Sequence, residues 1–236
     1  MPLFPNQKII SGDAHFVEPP DLFETRLPVE FRDRAPTTWK GELPDGRRGE
    51  YYIVENLEPA PVAGSAGAGK SDLNIANIEG YAAAPKSVWD PAERLREQDI
   101  DGISAEVLYA SWGLFLFSLD DDRLREACFG VFNEWAGEYV GYDRDRMRGF
   151  GLCDLADVDH GVREIHRASD HGLSGVLISS GPEDERPYSS AEYDPFWSAA
   201  EELKLPIGMH ILTGRHGKGH IKYGARKKGH FDPHRA

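Results

Sequence analysis

Short apolar segments alternate with amphipathic segments along most of this chain, and this alternation constrains the fold more than any other feature of the sequence. The apolar segments have the length and residue types of strands, and the segments between them repeat apolar residues at helical spacing. We predict strands at 9–10, 103–109, 148–152, 175–179 and 206–211, with helices at 92–99, from 120–122 onward, at 157–171 and at 194–204. Apolar strands that alternate with helices predict a parallel sheet covered by helices. A (β/α)8 barrel and an open doubly wound sheet share this order of elements.

Two of the predicted helices begin at the same local signal, an aspartate followed by a proline. Asp90-Pro91 and Asp194-Pro195 each place a carboxylate that can accept the free N–H groups of a first turn before a residue whose φ angle suits that turn. Gly172, directly after 157–171, is the residue type at which helices commonly end. These signals set the boundaries of the predicted helices.

Metal-ligating side chains follow the first and the fifth predicted strands. Asp13 and His15 are two residues apart, so in a strand their side chains point to the same side. His210 lies at the end of the fifth strand, and in a barrel the carboxyl ends of the strands carry the functional residues. Carboxylate oxygen and imidazole nitrogen are common ligands of divalent cations. We therefore predict a metal site at Asp13, His15 and His210, although Asp-x-His alone also fits a strand that ends in a polar turn.

Three further residues are candidates for the substrate pocket. Glu18 is a carboxylate close in sequence to Asp13 and His15, and Trp112 and Phe115 lie in an aromatic segment, 111–117, after the second strand of the alternation. Each has a plainer interpretation: Glu18 as a loop or helix-start charge, and the two aromatic residues as ordinary core.

Residues 29–88 interrupt the alternation and predict an insertion. Two segments, 39–43 and 50–55, flank Pro44-Asp45-Gly46, which is typical of a β-hairpin with a turn at its tip. The stretch 60–69 consists largely of small residues and predicts a loop.

One segment of the insertion, GSAGAGKS at 64–71, matches the phosphate-binding pattern GxxxxGK[ST] at every position. That mechanism needs a buried strand before the loop and a helix after it. Two prolines, Pro59 and Pro61, disfavour the strand, and 72–80 shows no clear helical stripe. A nucleotide site here is the less favoured interpretation, and a surface loop is the favoured one.

The composition limits the class of protein. The chain has 236 residues, of which 40% are hydrophobic, enough for one large domain with a real core. Its formal net charge of -13 disfavours binding to nucleic acid or to anionic membranes. It has two cysteines, no CxxC motif, no signal-peptide pattern and no long apolar run, which predicts a cytoplasmic protein.

Several motifs, in order, resemble one family. They are IISGDAHFVEPPDLFETRLP, WDPAERLREQDIDGISAEVLY, GLFLF, GVLISS and YDPFWSAAEELKLPIGMHILTG, spanning roughly residues 7–214. They resemble the amidohydrolase-2 family, which includes aminocarboxymuconate-semialdehyde decarboxylase and aromatic-acid decarboxylases. The resemblance implies a metal-dependent TIM barrel, with Asp13 and His15 as the ligand pair after strand one and His210 as the ligand after strand five. It also implies zinc or manganese as the cofactor.

The family pattern continues beyond what this chain matches. It has a histidine for proton transfer after strand six and a metal-binding aspartate after strand eight, and neither has a counterpart here, so about five βα units of an incomplete barrel are expected. Residues 215–236 instead form a basic tail with seven Lys or Arg, one acidic residue and four of the nine histidines, a net charge of +6 that leaves -19 for 1–214. We expect this tail to be disordered. So abrupt a change is what a frameshift or a displaced stop would produce, a hypothesis that reading the other frames of the gene would test.

The expected function is metal-dependent removal of CO2 from a small carboxylic acid, or hydrolysis of an ester, lactone or amide. One alternative is a catalytically inactive, truncated barrel, and a second is the nucleotide binder at 64–71. The expected partners are a small carboxylic-acid substrate and, as a further possibility, other copies of the chain in a homo-oligomer.

Overall fold

The computed structural model describes residues 7–214 except 56, 68 and 183–185. The strands are β1 (Ile9–His15), β2 (Thr37–Glu42), β3 (Arg48–Ile53), β4 (Ala60–Pro61), β5 (Ile103–Tyr109), β6 (Met147–Leu152), β7 (Gly175–Ile178) and β8 (Ile207–Met209). The helices are α1 (Leu22–Arg26), α2 (Ala63–Ala66), α3 (Leu73–Glu79), α4 (Pro91–Asp101), α5 (Gly113–Leu116), α6 (Asp122–Val140), α7 (Val158–Asp170) and α8 (Asp194–Leu203). The predicted tail, 215–236, lies outside the described residues.

Five strands form one parallel sheet in the order β1-β5-β6-β7-β8. Successive strands of this sheet are neighbours, and α4, α6, α7 and α8 connect them, so the connections are repeated βα units. This confirms the predicted fold class, a partial TIM-barrel-like α/β fold of five units. All five carboxyl ends lie at one edge of the sheet, which brings residues far apart in sequence to the same place.

The aspartate caps confirm most of the predicted helix starts. Asp90, Asp121 and Asp157 each accept backbone N–H groups of the first turn of α4, α6 and α7. Asp194 does not act in this way: α8 begins at Asp194 itself, and Tyr193 occupies the N-cap position. A 3-10 turn at Ala191–Tyr193 directly precedes α8, so the chain already turns helically before Asp194.

Phe16 anchors the end of β1 in the core. It is fully buried, and its ring makes edge contacts with Trp135 and Tyr139 of α6 at centroid distances of 5.4 and 5.1 Å. Its backbone N–H donates to the carbonyl oxygen of Tyr109 over 2.9 Å, which continues the pairing of β1 with β5 by one residue. Since Phe16 directly follows His15, this packing also fixes the backbone position of His15.

The insertion contains more regular structure than its sequence predicts. β2 and β3 form the expected hairpin, but β4 adds a third antiparallel strand, pairing Tyr51 with Pro61 and Tyr52 with Ala60. The predicted loop at 60–69 is therefore wrong in part, because it also contains α2, whose alanines favour a helix. The stretch after it forms α3, capped by Asp72, so the expectation of no helix there is wrong as well.

These elements do not provide the surroundings that a phosphate-binding loop needs. β4 has two residues and belongs to the antiparallel sheet, and Gly64 lies within the short helix α2 rather than in a loop. The backbone N–H groups of Ser65, Ala66 and Gly67 donate to carbonyl oxygens of this helical turn instead of converging on an anion. The nucleotide-binding alternative therefore stays the less favoured interpretation.

Other predicted boundaries shift by small amounts. The predicted aromatic loop 111–117 contains the short helix α5. β8 is shorter than the predicted 206–211, so His210 directly follows the strand rather than lying in it. β7 is buried along its whole length, as predicted for 175–179. β1 and β8 are the two edges of the described sheet and have residues as exposed as Ile10 and Met209.

Cys128 and Cys153 are both free and buried. Among the described residues, no helix combines the length and the apolar content that crossing a membrane requires.

We predict that Phe16→Ala lowers the free energy of unfolding by about 3–5 kcal/mol, because it opens a cavity among the aromatic residues of α6. Chemical denaturation followed by circular dichroism measures this loss. Ile100→Ala, at an 83% exposed position of α4, is the control and changes stability by no more than about 0.5 kcal/mol. A loss below about 1 kcal/mol for Phe16→Ala would contradict the anchoring role.

Candidate metal centre

The structure brings Asp13, His15 and His210 together at the carboxyl edge of the parallel sheet. The Nε2 atom of His15 lies 3.6 Å from Asp13 Oδ1, and the Nε2 atom of His210 lies 3.8 Å from the same oxygen. One ligand atom from each residue lies within 4.8 Å of the other two. The rings of His15 and His210 meet edge to face, with centroids 5.2 Å apart. The two strands that supply the histidines are the two edges of the described sheet, so only a curved sheet can make this contact.

Both histidines present the same ring nitrogen to Asp13. The Nδ1 atom of His15 is 2.8 Å from the carbonyl oxygen of Ala110, and the Nδ1 atom of His210 is 2.8 Å from that of Ile211. Because a carbonyl oxygen only accepts hydrogen bonds, Nδ1 donates in both cases. In the neutral rings the lone pair is then on Nε2, which is the form and orientation that a metal ligand requires.

The surroundings of His15 favour its neutral form. Burial lowers its pKa, because a charged ring would lose its hydration, and the nearby ring of His210 lowers it further. The hydrogen bond to Ala110 and the carboxylate of Asp13 act in the opposite direction but do not prevail. A neutral imidazole can bind a metal ion without first releasing a proton.

The cluster opens toward solvent on the side of Asp13. The side chain of Asp13 is 73% exposed, whereas that of His210 is 17% exposed. A cation among the three side chains would therefore keep positions open on the Asp13 side, as a catalytic site requires.

Tyr109, which the sequence did not single out, completes the wall of the site. It is the last residue of β5 and pairs with His15 across the sheet. Its ring centroid lies 6.1 Å from that of His15 and 5.8 Å from that of His210. Burial and the charge of Asp13 raise the pKa of its hydroxyl, so the Tyr109 side chain stays neutral beside the candidate ligands. Its position at the end of a strand next to β1 was the available signal.

Arg94 is a second residue that the sequence did not single out. Its Nε atom donates to Glu106 over 2.6 Å, and its Nη1 atom donates to the backbone carbonyl oxygen of His15 over 3.4 Å. Both side chains of this ion pair are nearly buried. Arg94 therefore links α4 and β5 to the backbone of His15, a candidate ligand.

Glu18, Trp112 and Phe115 make contacts within the protein, and their place in a substrate pocket stays a prediction. Glu18 is 1% exposed and accepts hydrogen bonds from the backbone N–H groups of Trp112 and Gly113 over 2.9 and 2.8 Å. Burial raises the pKa of Glu18 to about 7, although the two N–H groups oppose this. Trp112 is buried and stacks on Tyr52 at 4.7 Å, and Phe115 is half-buried against it.

The chain matches a protein family and is similar to a known decarboxylase. The model of the amidohydrolase family (Amidohydro_2) matches residues 13–232 of this chain. A γ-resorcylate decarboxylase from Polaromonas sp. strain JS666 is 28% identical over 123 residues, which are 50% of this chain and 37% of that protein.

Two solved structures share the fold. A crystal structure of an amidohydrolase from Mycobacterium avium subsp. paratuberculosis K-10 aligns with a TM-score of 0.65 and 21% identity, over 87% of this chain and 58% of that one. The second is a 5-carboxyvanillate decarboxylase from Novosphingobium aromaticivorans, complexed with manganese and 4-hydroxy-3-methoxy-5-nitrobenzoic acid. It aligns with a TM-score of 0.55 and 17% identity, over 90% of this chain and 53% of that one. This chain thus spans little more than half the length of either structure.

The family match covers most of the chain and begins at Asp13, the first residue of the candidate metal site. It confirms the family that the sequence motifs resemble. The chain belongs to the amidohydrolase family.

Proposed function

We propose that this chain supplies the metal-binding part of a decarboxylase that removes CO2, without oxidation, from a small carboxylic acid. The observation that carries the proposal is the convergence of Asp13, His15 and His210 from opposite edges of the sheet onto one point. Three such side chains at the carboxyl edge of a barrel-like sheet have little structural use there, since they neither fill the core nor cap a helix.

The donor set fits a divalent cation. Two ligand atoms bound at about 2.1 Å to one ion lie about 3.0–3.5 Å apart, and the Asp13–His15 and Asp13–His210 distances of 3.6 and 3.8 Å are within a few tenths of an ångström of that range. One carboxylate with two imidazoles suits manganese or zinc, which accept mixed oxygen and nitrogen ligands. Manganese is the first choice, because the 5-carboxyvanillate decarboxylase structure contains it.

The proposed substrate is a small aromatic carboxylic acid. The similarity to a γ-resorcylate decarboxylase supports this class. On the protein side, the ring of Tyr109 lies beside both histidines and offers an apolar surface on which a substrate ring can pack.

The residues of the site have separate roles in this chemistry. A bound cation acts as a Lewis acid that draws negative charge from a substrate carboxylate and a neighbouring oxygen. Asp13, His15 and His210 hold the cation, and the hydrogen bonds of the two Nδ1 atoms keep the rings oriented toward it. In the overall reaction the bond between the carboxyl carbon and its neighbour breaks, CO2 leaves, and a proton takes its place on that neighbour. By the family resemblance, the histidine that transfers the proton would follow a sixth strand of the sheet. The structure describes five strands in this sheet, of which β8 is the last.

Hydrolysis is the second candidate, because the same family includes amidohydrolases. In that reaction the site would activate a water molecule instead of a substrate carboxylate. Substrates separate the two: an aromatic acid tests the first reaction, and an ester or lactone tests the second.

We predict that the chain binds about one Mn²⁺ per molecule, and that Asp13→Ala and His210→Ala each weaken this binding at least about 100-fold by removing a ligand. Isothermal titration calorimetry on metal-free protein measures the affinity. His166→Ala, at an exposed position of α7, is the matched histidine control and leaves the affinity unchanged. Equal affinity in all four proteins would contradict the proposed site.

We predict that the Mn²⁺-loaded chain releases CO2 from γ-resorcylate, and that the release disappears in His210→Ala. Chromatography of the remaining acid and its decarboxylated product measures the reaction. Cleavage of an ester or lactone without loss of CO2 would favour the hydrolase instead. Tight metal binding with neither reaction would support an inactive barrel and contradict the proposed activity.

A further inference from the structure

A set of hydrogen bonds joins the residues that follow β1 to those that follow β5. His15 Nδ1 donates to the carbonyl oxygen of Ala110, and the hydroxyl of Ser111 donates to that of Phe16. The backbone N–H groups at 112 and 113 donate to the carboxylate of Glu18. Four hydrogen bonds therefore tie together the segments 15–18 and 110–113, which we call the strand-end clasp.

Glu18 is the unusual member of the strand-end clasp. Burying a carboxylate costs several kcal/mol, so an apolar side chain would fill this position at a lower cost in solvation. The carboxylate instead accepts one N–H group on each oxygen, from Trp112 and Gly113, and both would otherwise be buried without that partner. Its role is therefore to hold the backbone of 110–113 in one conformation.

The close approach depends on Gly113. A Cβ atom at this position would lie 3.1 Å from Glu18 Oε1 and 2.8 Å from the Cβ atom of Ala110. Such contacts are tighter than side chains normally tolerate, so the loop and the carboxylate fit together only because the residue is glycine.

The conformation of 110–113 sets the hydrogen bond of a proposed metal ligand. Ala110 lies two residues before Trp112, and its carbonyl oxygen is the acceptor that keeps the proton of His15 on Nδ1. We propose that Glu18 is a positioning residue for His15: by fixing the backbone of 110–113, it aims the Ala110 carbonyl and so selects the imidazole tautomer that presents Nε2 to the metal. This inference rests on the metal site of the proposed function.

The insertion supports the strand-end clasp from outside the barrel. The hydroxyl of Tyr81 donates to the backbone carbonyl oxygen of Glu18 over 2.8 Å, and the ring of Tyr52 stacks on that of Trp112. The inserted segment thus contacts both sides of the clasp, one at Glu18 and one at Trp112. This arrangement explains why a buried carboxylate at 18 can be held in a single position.

The test compares Glu18→Gln with a buried polar residue outside the clasp. In Glu18→Gln one carboxylate oxygen becomes an NH2 group, so one of the two backbone N–H groups faces a donor instead of an acceptor. Asn133→Ala is the matched control, because Asn133 is equally buried and binds both backbone groups of Leu152 at the end of β6. Both changes remove buried hydrogen bonds to the backbone at a strand end, but only Glu18→Gln removes one to the backbone of 110–113.

The first measurement is the tautomer of His15 in the metal-free protein, from the ¹⁵N chemical shifts of its ring. The wild type and Asn133→Ala show the Nδ1–H tautomer, whereas Glu18→Gln shows a mixture. His210 is an internal control, since its Nδ1 atom donates to Ile211 and its tautomer is the same in all three proteins. The second measurement is the Mn²⁺ affinity, which falls about 10-fold in Glu18→Gln and stays within about twofold in Asn133→Ala.

A folded Glu18→Gln protein that keeps His15 in the Nδ1–H tautomer and binds Mn²⁺ as the wild type does would overturn the inference. If Glu18→Gln does not fold, Ser111→Ala replaces it, because this milder change removes one hydrogen bond of the same clasp. It is then expected to shift the same two measurements in the same direction, and no shift in either would overturn the inference. Absence of Mn²⁺ binding in the wild type would contradict the proposed function, while the tautomer of His15 would still decide the role of Glu18.

Discussion

The parallel pairing of β1 with β5, continued past the ends of both strands, is the interaction on which the rest of the site depends. The ladder ends with His15 opposite Tyr109, and the backbone N–H of Phe16 extends it by one further hydrogen bond. From there, side chains replace backbone groups as donors and acceptors. At the end of an isolated strand, the backbone of His15 could move and its ring could rotate. The hydrogen bond of Phe16 to Tyr109 restrains the backbone, and that of the His15 Nδ1 atom to Ala110 restrains the ring.

The site combines rigid support with an open side. Phe16 is buried among the rings of α6, and His15, one residue earlier, points to the other side of the strand. Asp13 is mostly exposed, so the support comes from residues behind and beside the ligands rather than from residues that cover them. The same sheet edge therefore presents a fixed set of donors to solvent, which suits a site that must exchange small molecules.

The sequence predicted the parts of the fold that depend on local signals. β5 occupies the predicted residues, and Asp90, Asp121 and Asp157 cap helices because the cap interaction involves only neighbouring residues. The convergence of Asp13, His15 and His210 could also be predicted, since parallel strands end at one edge. By contrast, β4 depends on pairing with β3, and α3, although Asp72 caps it, buries only Ala76 and Asn77, so no apolar periodicity reveals either element. The contacts of Glu18 and Arg94 join residues about 80 to 95 positions apart, so their sequence neighbourhoods contain no sign of them. For Tyr109 the sequence offered only its place at the end of a predicted strand.

We propose above all that Asp13, His15 and His210 hold one divalent cation. Anomalous diffraction from crystals grown with Mn²⁺, recorded near the manganese absorption edge, tests it most directly. We predict one strong peak within bonding distance of Asp13 Oδ1 and of the Nε2 atoms of His15 and His210. A strong peak elsewhere in the molecule, with none among these three side chains, would contradict it.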